Sequence, residues 1–177
     1  MDVEINTPRL TLRSLAEADI PALVAGLNDY EITRYLTMVP YPYSEADAQS
    51  WISSRPRPVP GKAHFAIDMP GKGMIGSVAL DSELGYWLSA SCHGNGFMTE
   101  ACVALLDWHF AAKPDDVVPS GAHLGNAPSL NVQRKLGFVE VSRSMRFAKS
   151  HGRDVEHVET KLTRSQFETA RQLLGRR

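Results

Sequence analysis

A chain of 177 residues with a formal charge of -1 has no cation surplus for coating nucleic acid, so no nucleic-acid partner is expected. No apolar run reaches the roughly 20 residues of a membrane span, and the N-terminus carries no signal-peptide pattern, so no membrane partner is expected either. A hydrophobic share of 43% and a charged share of 22% fit a soluble globular protein, and the length suits a single domain over residues 1–177. The two cysteines, Cys92 and Cys102, make neither a disulfide framework nor a four-cysteine zinc site, which points to a reducing cytoplasm and to no metal.

In chain order, residues 9–13 alternate polar and apolar, which predicts a strand with Leu10 and Leu12 facing inward. Residues 16–28 predict a helix with Asp19 and Pro21 near its start and Ile20, Leu23, Val24 and Leu27 on one face, and 30–36 a second short one. Pro40 and Pro42 rule out regular helix over 38–43, so Tyr41 and Tyr43 sit on a loop, either facing a cleft or capping the core. Ser44 and Asp47 form a capping box for a helix through Trp51 and Ile52, and 55–61 is an extended loop. Strands follow at 64–68 and 74–80, joined by a turn at 70–73, and again at 83–88. Val103, Leu106 and Phe110 recur at helical spacing over 101–111. The strand at 117–124 contains Pro119 and Gly121, which predicts an edge or a bulge. A helix at 128–136 ends at Gly137, and an antiparallel pair at 138–147 and 155–162 turns near His151 and Gly152. Thr163 caps a closing helix through Leu173 and Leu174. This order makes an α/β layer with a mixed sheet.

The stretch between the strand at 83–88 and the following helix carries the chemistry. Gly94 and Gly96 place a tight turn at a helix N-terminus, where glycine lets amides approach a ligand and the helix supplies unpaired N–H donors. That combination can cradle a phosphate, although a strand-to-helix turn without any ligand has the same appearance.

Three blocks resemble the GNAT (GCN5-related N-acetyltransferase) superfamily, and within it the RimJ/RimL-type, ribosomal-protein N-terminal acetyltransferase-like branch. The first is Gly85, Tyr86, Trp87 and Leu88 followed by Gly94, Asn95, Gly96, Phe97, Met98, Thr99, Glu100 and Ala101, similar to the family's strand and acyl-CoA pyrophosphate loop. The second is Ser120 and Gly121, then Asn126, Ala127, Pro128 and Ser129, ending in Lys135, Leu136, Gly137 and Phe138. The third is the opening Thr7, Pro8, Arg9, Leu10, Thr11, Leu12 and Arg13. The resemblance implies a GNAT fold, a mixed, mostly antiparallel sheet flanked by helices and splayed between two central strands, here 83–88 and 117–124. Ser91 stands where the broad family often has Gln or Arg, and Cys92 and His93 follow, so acyl-CoA affinity is the property this departure bears on.

The implied reaction moves the acetyl group of acetyl-CoA, a cosubstrate, to a primary amine of a peptide N-terminus or small molecule by direct attack. The implied donor-binding set is Leu88, Gly94, Asn95, Gly96, Phe97, Met98, Thr99, Asn126, Ser129 and Lys135. By the same resemblance Ser129 serves the leaving thiolate as acid or hydrogen-bond donor, unless it only caps its helix. Glu83 is the leading candidate base, acting through water, against the reading of an exposed hairpin-end carboxylate. His123 is a second candidate on the facing strand, because an ordinary imidazole suits proton shuttling, or else a structural histidine. His64 is a weaker one, and Glu100 is expected to serve the helix start. A non-catalytic acyl-CoA-binding module is the alternative, and an activated Cys92–His93 thiol a remoter one. A homodimer is compatible with this reading.

Overall fold

The computed structural model describes residues 3–175. Its strands are β1 Ile5–Asn6, β2 Thr11–Ser14, β3 Ala63–Met69, β4 Gly73–Leu80, β5 Leu84–Leu88, β6 Val117–His123, β7 Val139–Ala148 and β8 Arg153–Thr163. Its helices are α1 Ile20–Leu27, α2 Tyr30–Thr33, α3 Glu45–Ser53, α4 Phe97–Ala112, α5 Ala127–Leu136 and α6 Arg164–Leu174. All strands join one open sheet in the order β1-β2-β3-β4-β5-β6-β8-β7, antiparallel throughout except between β5 and β6.

Strand alternation assigns each face of the sheet its own core. Phe65 and Ile67 of β3, with Leu84 and Leu88 of β5, pack against Ala101, Leu105 and Leu106 of α4, Leu136 of α5 and Phe167 of α6. Ala66, between the first two, and Trp87, between Leu84 and Leu88, face the other way and pack with Leu23 and Leu27 of α1, Tyr43 and Ala48. Helix α1 lies close enough for a Cβ on Gly26 to stand 2.4 Å from the Trp87 ring, so glycine sets that spacing. The parity of β5 therefore divides the site: Tyr86 belongs to the α4 and α5 face, whereas Gly85 and Glu83 look toward the α1 face.

The capping residues behave as their chemistry dictates. Ser44 and Thr163 accept from Asp47 N and Gln166 N in reciprocal capping boxes, and Gly137 ends α5 at φ 96°. Three expectations change. A two-residue strand, β1, precedes the first expected one. Helix α4 begins at Phe97, directly after the glycines, so Thr99 and Glu100 lie in its first turn. Strand β6 has no bulge and is central, pairing with β8 in unbroken register from Val117 to His123. Its flank toward β5 is nearly unpaired, so a proline is tolerated there much as on an edge.

Candidate active site

Strands β5 and β6 share one pair, Leu84 with Ser120, fastened by a 2.8 Å hydrogen bond from Ser120 Oγ to the Leu84 carbonyl. Beyond it they part. β5 stays with β4 as far as Leu88, opposite Gly76, and β6 stays with β8 as far as His123, opposite His157. The gap opens toward the ends from which the glycine turn and α5 depart.

At the β5 side of that mouth, Ala90–Cys92 makes a single 3-10 turn, and Gly94 and Gly96 both adopt φ 77°. Gly96 caps α4 and no side chain bonds to the first amides, so the N–H groups of Phe97, Met98 and Thr99 point out of the helix start. The Phe97 and Met98 side chains are buried, so these residues can meet a ligand only through their amides. Asn95 braces the turn, its Nδ2 donating to the carbonyls of Cys92 and His93. His93 folds back, donating Nε2–H to the Leu88 carbonyl at 2.8 Å. His93 is thus a structural support, and Lys72 Nζ stands 3.3 Å from Ser91 Oγ and from Cys92 Sγ.

A second cation comes from Arg9. Its Nε donates to Glu100 Oε2 at 2.7 Å, its Nη1 to the Asn95 carbonyl at 2.9 Å, and its guanidinium lies 4.5 Å over the Phe97 ring. Glu100 also accepts from Thr7 Oγ1 and from the Arg9 backbone N–H. Burial opposes ionisation of Glu100, but the bonds from Thr7 and Arg9 outweigh it and hold the carboxyl below its usual range. Glu100 lies in the first turn of α4, where a carboxylate serves the helix start, and also ties the β1–β2 turn to α4. A cleft of about 1030 Å³ runs from this loop over α4, lined by Arg9, Asn95, Gly96, Thr99, Lys135 and Arg171 among others.

At the β6 side, Asn126 Oδ1 accepts from Ser129 N at 3.3 Å and caps α5. Ser129 Oγ donates to Tyr86 Oη at 3.0 Å, and the Tyr86 hydroxyl donates to the Ser129 carbonyl at 3.1 Å. These two bonds span the space between the parted strands on the α4 and α5 face. Burial pushes the Tyr86 phenol up, so it stays protonated.

The opposite face carries a charge cluster. Arg146 of β7 gives Nη1 to both oxygens of Glu83 at 2.9 Å and Nε to Glu159 Oε1 at 2.9 Å, with Nη2 also on Glu159. Burial works against Glu159 as a carboxylate, but Arg146 and Ser144 hold its pKa below the ordinary value. His157 Nδ1 stands 3.3 Å from Glu159 Oε1, and its ring meets that of His123 at 5.9 Å between centroids. His123 is buried, its Nε2 lacks a hydrogen-bond partner, and Tyr35 and His151 flank it. Burial, then the cationic forms of His157 and His151, push its pKa down to about 4. A pocket of about 280 Å³ opens beside it, lined by Tyr35, Leu124, Gly125, Met145 and His151 among others.

An acetyltransferase (GNAT) domain profile matches residues 9–139. The chain belongs to the GNAT acetyltransferase family. It is 25% identical over 161 residues to the uncharacterized N-acetyltransferase p20 of Bacillus licheniformis, covering 85% of this chain and 90% of p20. Among solved structures it superposes on Mycobacterium smegmatis RimJ in complex with CoA-disulfide with a TM-score of 0.80, at 19% identity and covering 98% of this chain and 94% of RimJ. A GNAT-family acetyltransferase from Bacillus anthracis gives 0.77, at 16% identity and covering 92% and 99%.

On this GNAT sheet, Ser129 and Asn126 meet at the head of α5 beside the gap, and Gly94, Asn95, Gly96, Phe97, Met98, Thr99 and Lys135 gather around the loop and cleft. Leu88 closes β5 with its carbonyl on His93. Glu83 and His123 share the other face, joined through Arg146, Glu159 and His157. His64 belongs to neither group: Arg55, Asp81 and Trp51 surround it. Of the two loop tyrosines, Tyr43 is buried in the core and Tyr41 is exposed, its ring tilted against that of Tyr30. Both thiols are free and buried, and burial pushes the Cys102 thiol up, so Cys102 is an inert core group. Sequence reasoning missed Arg9 and Tyr86 as site residues. Both stood inside the quoted motifs, but their partners lie 91 and 43 residues away.

Proposed function

We propose that this chain is an acetyl-CoA-dependent N-acetyltransferase that moves the acetyl group directly to a primary amine. The observation that carries the reading is the parting of β5 and β6 after one pair, with an uncapped helix start on one side of the mouth and Ser129 on the other. The residues fit the donor's chemistry. The amides of Phe97, Met98 and Thr99 suit a pyrophosphate, with Arg9 and Lys72 beside them and Lys135 and Arg171 along the cleft for further phosphate charge.

In this reading the thioester lies in the gap, its oxygen facing backbone N–H groups that the parted strands leave free. One such donor aimed at a developing oxyanion is worth about 2.7–4 kcal/mol. The amine nitrogen attacks the thioester carbon from the α1 face, the C–S bond breaks, and Ser129 Oγ donates a hydrogen bond to the departing thiolate. The proton shed by nitrogen goes to His123 or Glu83. His123 has the unpartnered nitrogen, whereas Glu83 must first release Arg146. The acceptor is a peptide N-terminus or a small-molecule amine entering near Tyr35 and His151.

The test is release of free CoA thiol, with mass spectrometry of products, across peptides, amino acids, polyamines and aminoglycosides. Turnover with at least one amine is expected, and Ser129→Ala should lower kcat about tenfold. A second reading, a non-catalytic acyl-CoA-binding module, draws on the fact that the Ser129 hydroxyl and Glu83 carboxylate are both engaged within the protein. CoA binding without release from any amine would favour it.

A further inference from the structure

We propose that Tyr86 is a positioning residue whose hydroxyl, by turning from the Ser129 carbonyl to Ser129 Oγ, frees the serine hydrogen for the departing thiolate. The proposal rests on the acetyltransferase reading and assigns a role to a side chain outside the candidate set.

Tyr86 and Ser129 have one hydroxyl hydrogen each, and a carbonyl oxygen only accepts. The 3.1 Å contact to the Ser129 carbonyl therefore takes the Tyr86 hydrogen, and the 3.0 Å contact between the hydroxyls takes that of Ser129. As the site stands, Ser129 has no hydrogen left for sulfur. One rotation about the Tyr86 C–O bond changes this without moving a heavy atom. Tyr86 then donates to Ser129 Oγ along the same 3.0 Å contact, and Ser129 Oγ–H points outward. Linked donors of this kind polarise one another and strengthen the terminal bond. The carbonyl that Tyr86 leaves belongs to α5, where the helical ladder supplies its other partner, so little is lost.

The surroundings hold Ser129 in place. Gln133, one turn beyond Ser129 and buried, donates Nε2 to the Gly121 carbonyl at 2.9 Å and accepts from Thr160 Oγ1 at 2.7 Å. Helix α5 is thereby locked to β6 and β8, which fixes Ser129 on its side of the gap. Burial holds the Tyr86 phenol protonated, so it supplies a hydrogen bond and not a proton. The balance is simple: the C–S electron pair stays on sulfur, the hydroxyl pair stabilises it, and the thiolate takes its proton from water after release.

The experiment titrates the thiol of CoA bound to the full-length protein, followed by thiolate ultraviolet absorbance, and needs no acceptor amine. Bound CoA should ionise about one pH unit below free CoA in the unaltered protein. In Tyr86→Phe, which keeps the ring, and in Ser129→Ala it should ionise like free CoA, and the double variant should add nothing further. With an amine that supports turnover, Tyr86→Phe should lower kcat about tenfold and leave KM for acetyl-CoA unchanged. An identical thiol titration in Tyr86→Phe overturns the proposal. So does a raised kcat, which would mark Tyr86 as a mere competitor for the serine hydrogen. Failure of every amine in the presence of a shifted thiol would remove the enzyme reading and leave the Tyr86–Ser129 pair standing.

Discussion

The two faces of the β5–β6 gap are built on opposite principles. The α4 and α5 face offers mostly backbone: amides at a helix start, two glycines in left-handed conformation, and cations at the rim. Its polar groups are arranged by neighbours in sequence, and its charges stay near water. The α1 face offers side chains from several strands, with Arg146 between two carboxylates and two buried imidazoles behind them. A backbone cradle tolerates substitution of what surrounds it, whereas a half-buried charge cluster depends on every member.

The largest expected effect follows from that dependence. Arg146→Met leaves Glu83 and Glu159 facing each other without their shared cation, and should cost about 2–4 kcal/mol in chemical denaturation. Adding Glu159→Gln to it should recover part of the loss, which a packing defect would not do. Acid should separate the faces next. The pKa of His123 falls from 6.5 to about 4 on folding, and that of His157 also falls, so the unfolded chain binds protons more tightly. This stability is fully present above pH 6.5 and is lost as pH drops toward about 4. At about 1.4 kcal/mol per unit, His123 accounts for about 2–3 kcal/mol after allowance for partial solvation. His123→Gln should flatten this part of the stability–pH curve, and Arg9→Ala should leave it alone.

Effects on the α4 face should appear in ligand affinity. Arg9→Ala is expected to weaken CoA binding about five- to tenfold by calorimetry, with a smaller change in stability, because the Arg9 side chain is itself about half exposed. An equal loss of stability would make Arg9 a structural clamp only. The smallest effect serves as a control outside the comparison: Ser44→Ala removes the α3 cap and should cost about 1 kcal/mol without altering CoA affinity or the acid slope.

The same contrast explains what could be read in the sequence. The glycine turn, the capping box at Ser44 and the cap at Thr163 were legible because each interaction closes within a few residues. The sequence offers Ser129 as the cap of α5, whereas Asn126 supplies it and Ser129 gives only its N–H. The Arg146 bridge was not, since Glu83 lies 63 residues away and nothing local marks one arginine among several in an exposed-looking strand. Glu100 was visible as a carboxylate at a helix start, where it does lie, but its partner Arg9 comes from 91 residues earlier, so its second role as a tie was not visible. Pro119 suggested an edge because proline reports an unpaired flank. It could not say that the unpaired flank lies inside the sheet.

That inner flank has a mechanical consequence. With one rung between β5 and β6, the eight-stranded sheet is two plates, five strands and three, hinged at Leu84 and Ser120 and strapped by α4. Each plate keeps its own ladder while one core under α4 and α5 holds both, so a molecule wedged in the gap adds a second fastening, like a rivet. Amide protons on β6 and β8 should therefore exchange faster than those on β3 and β4, and slow down when CoA is bound.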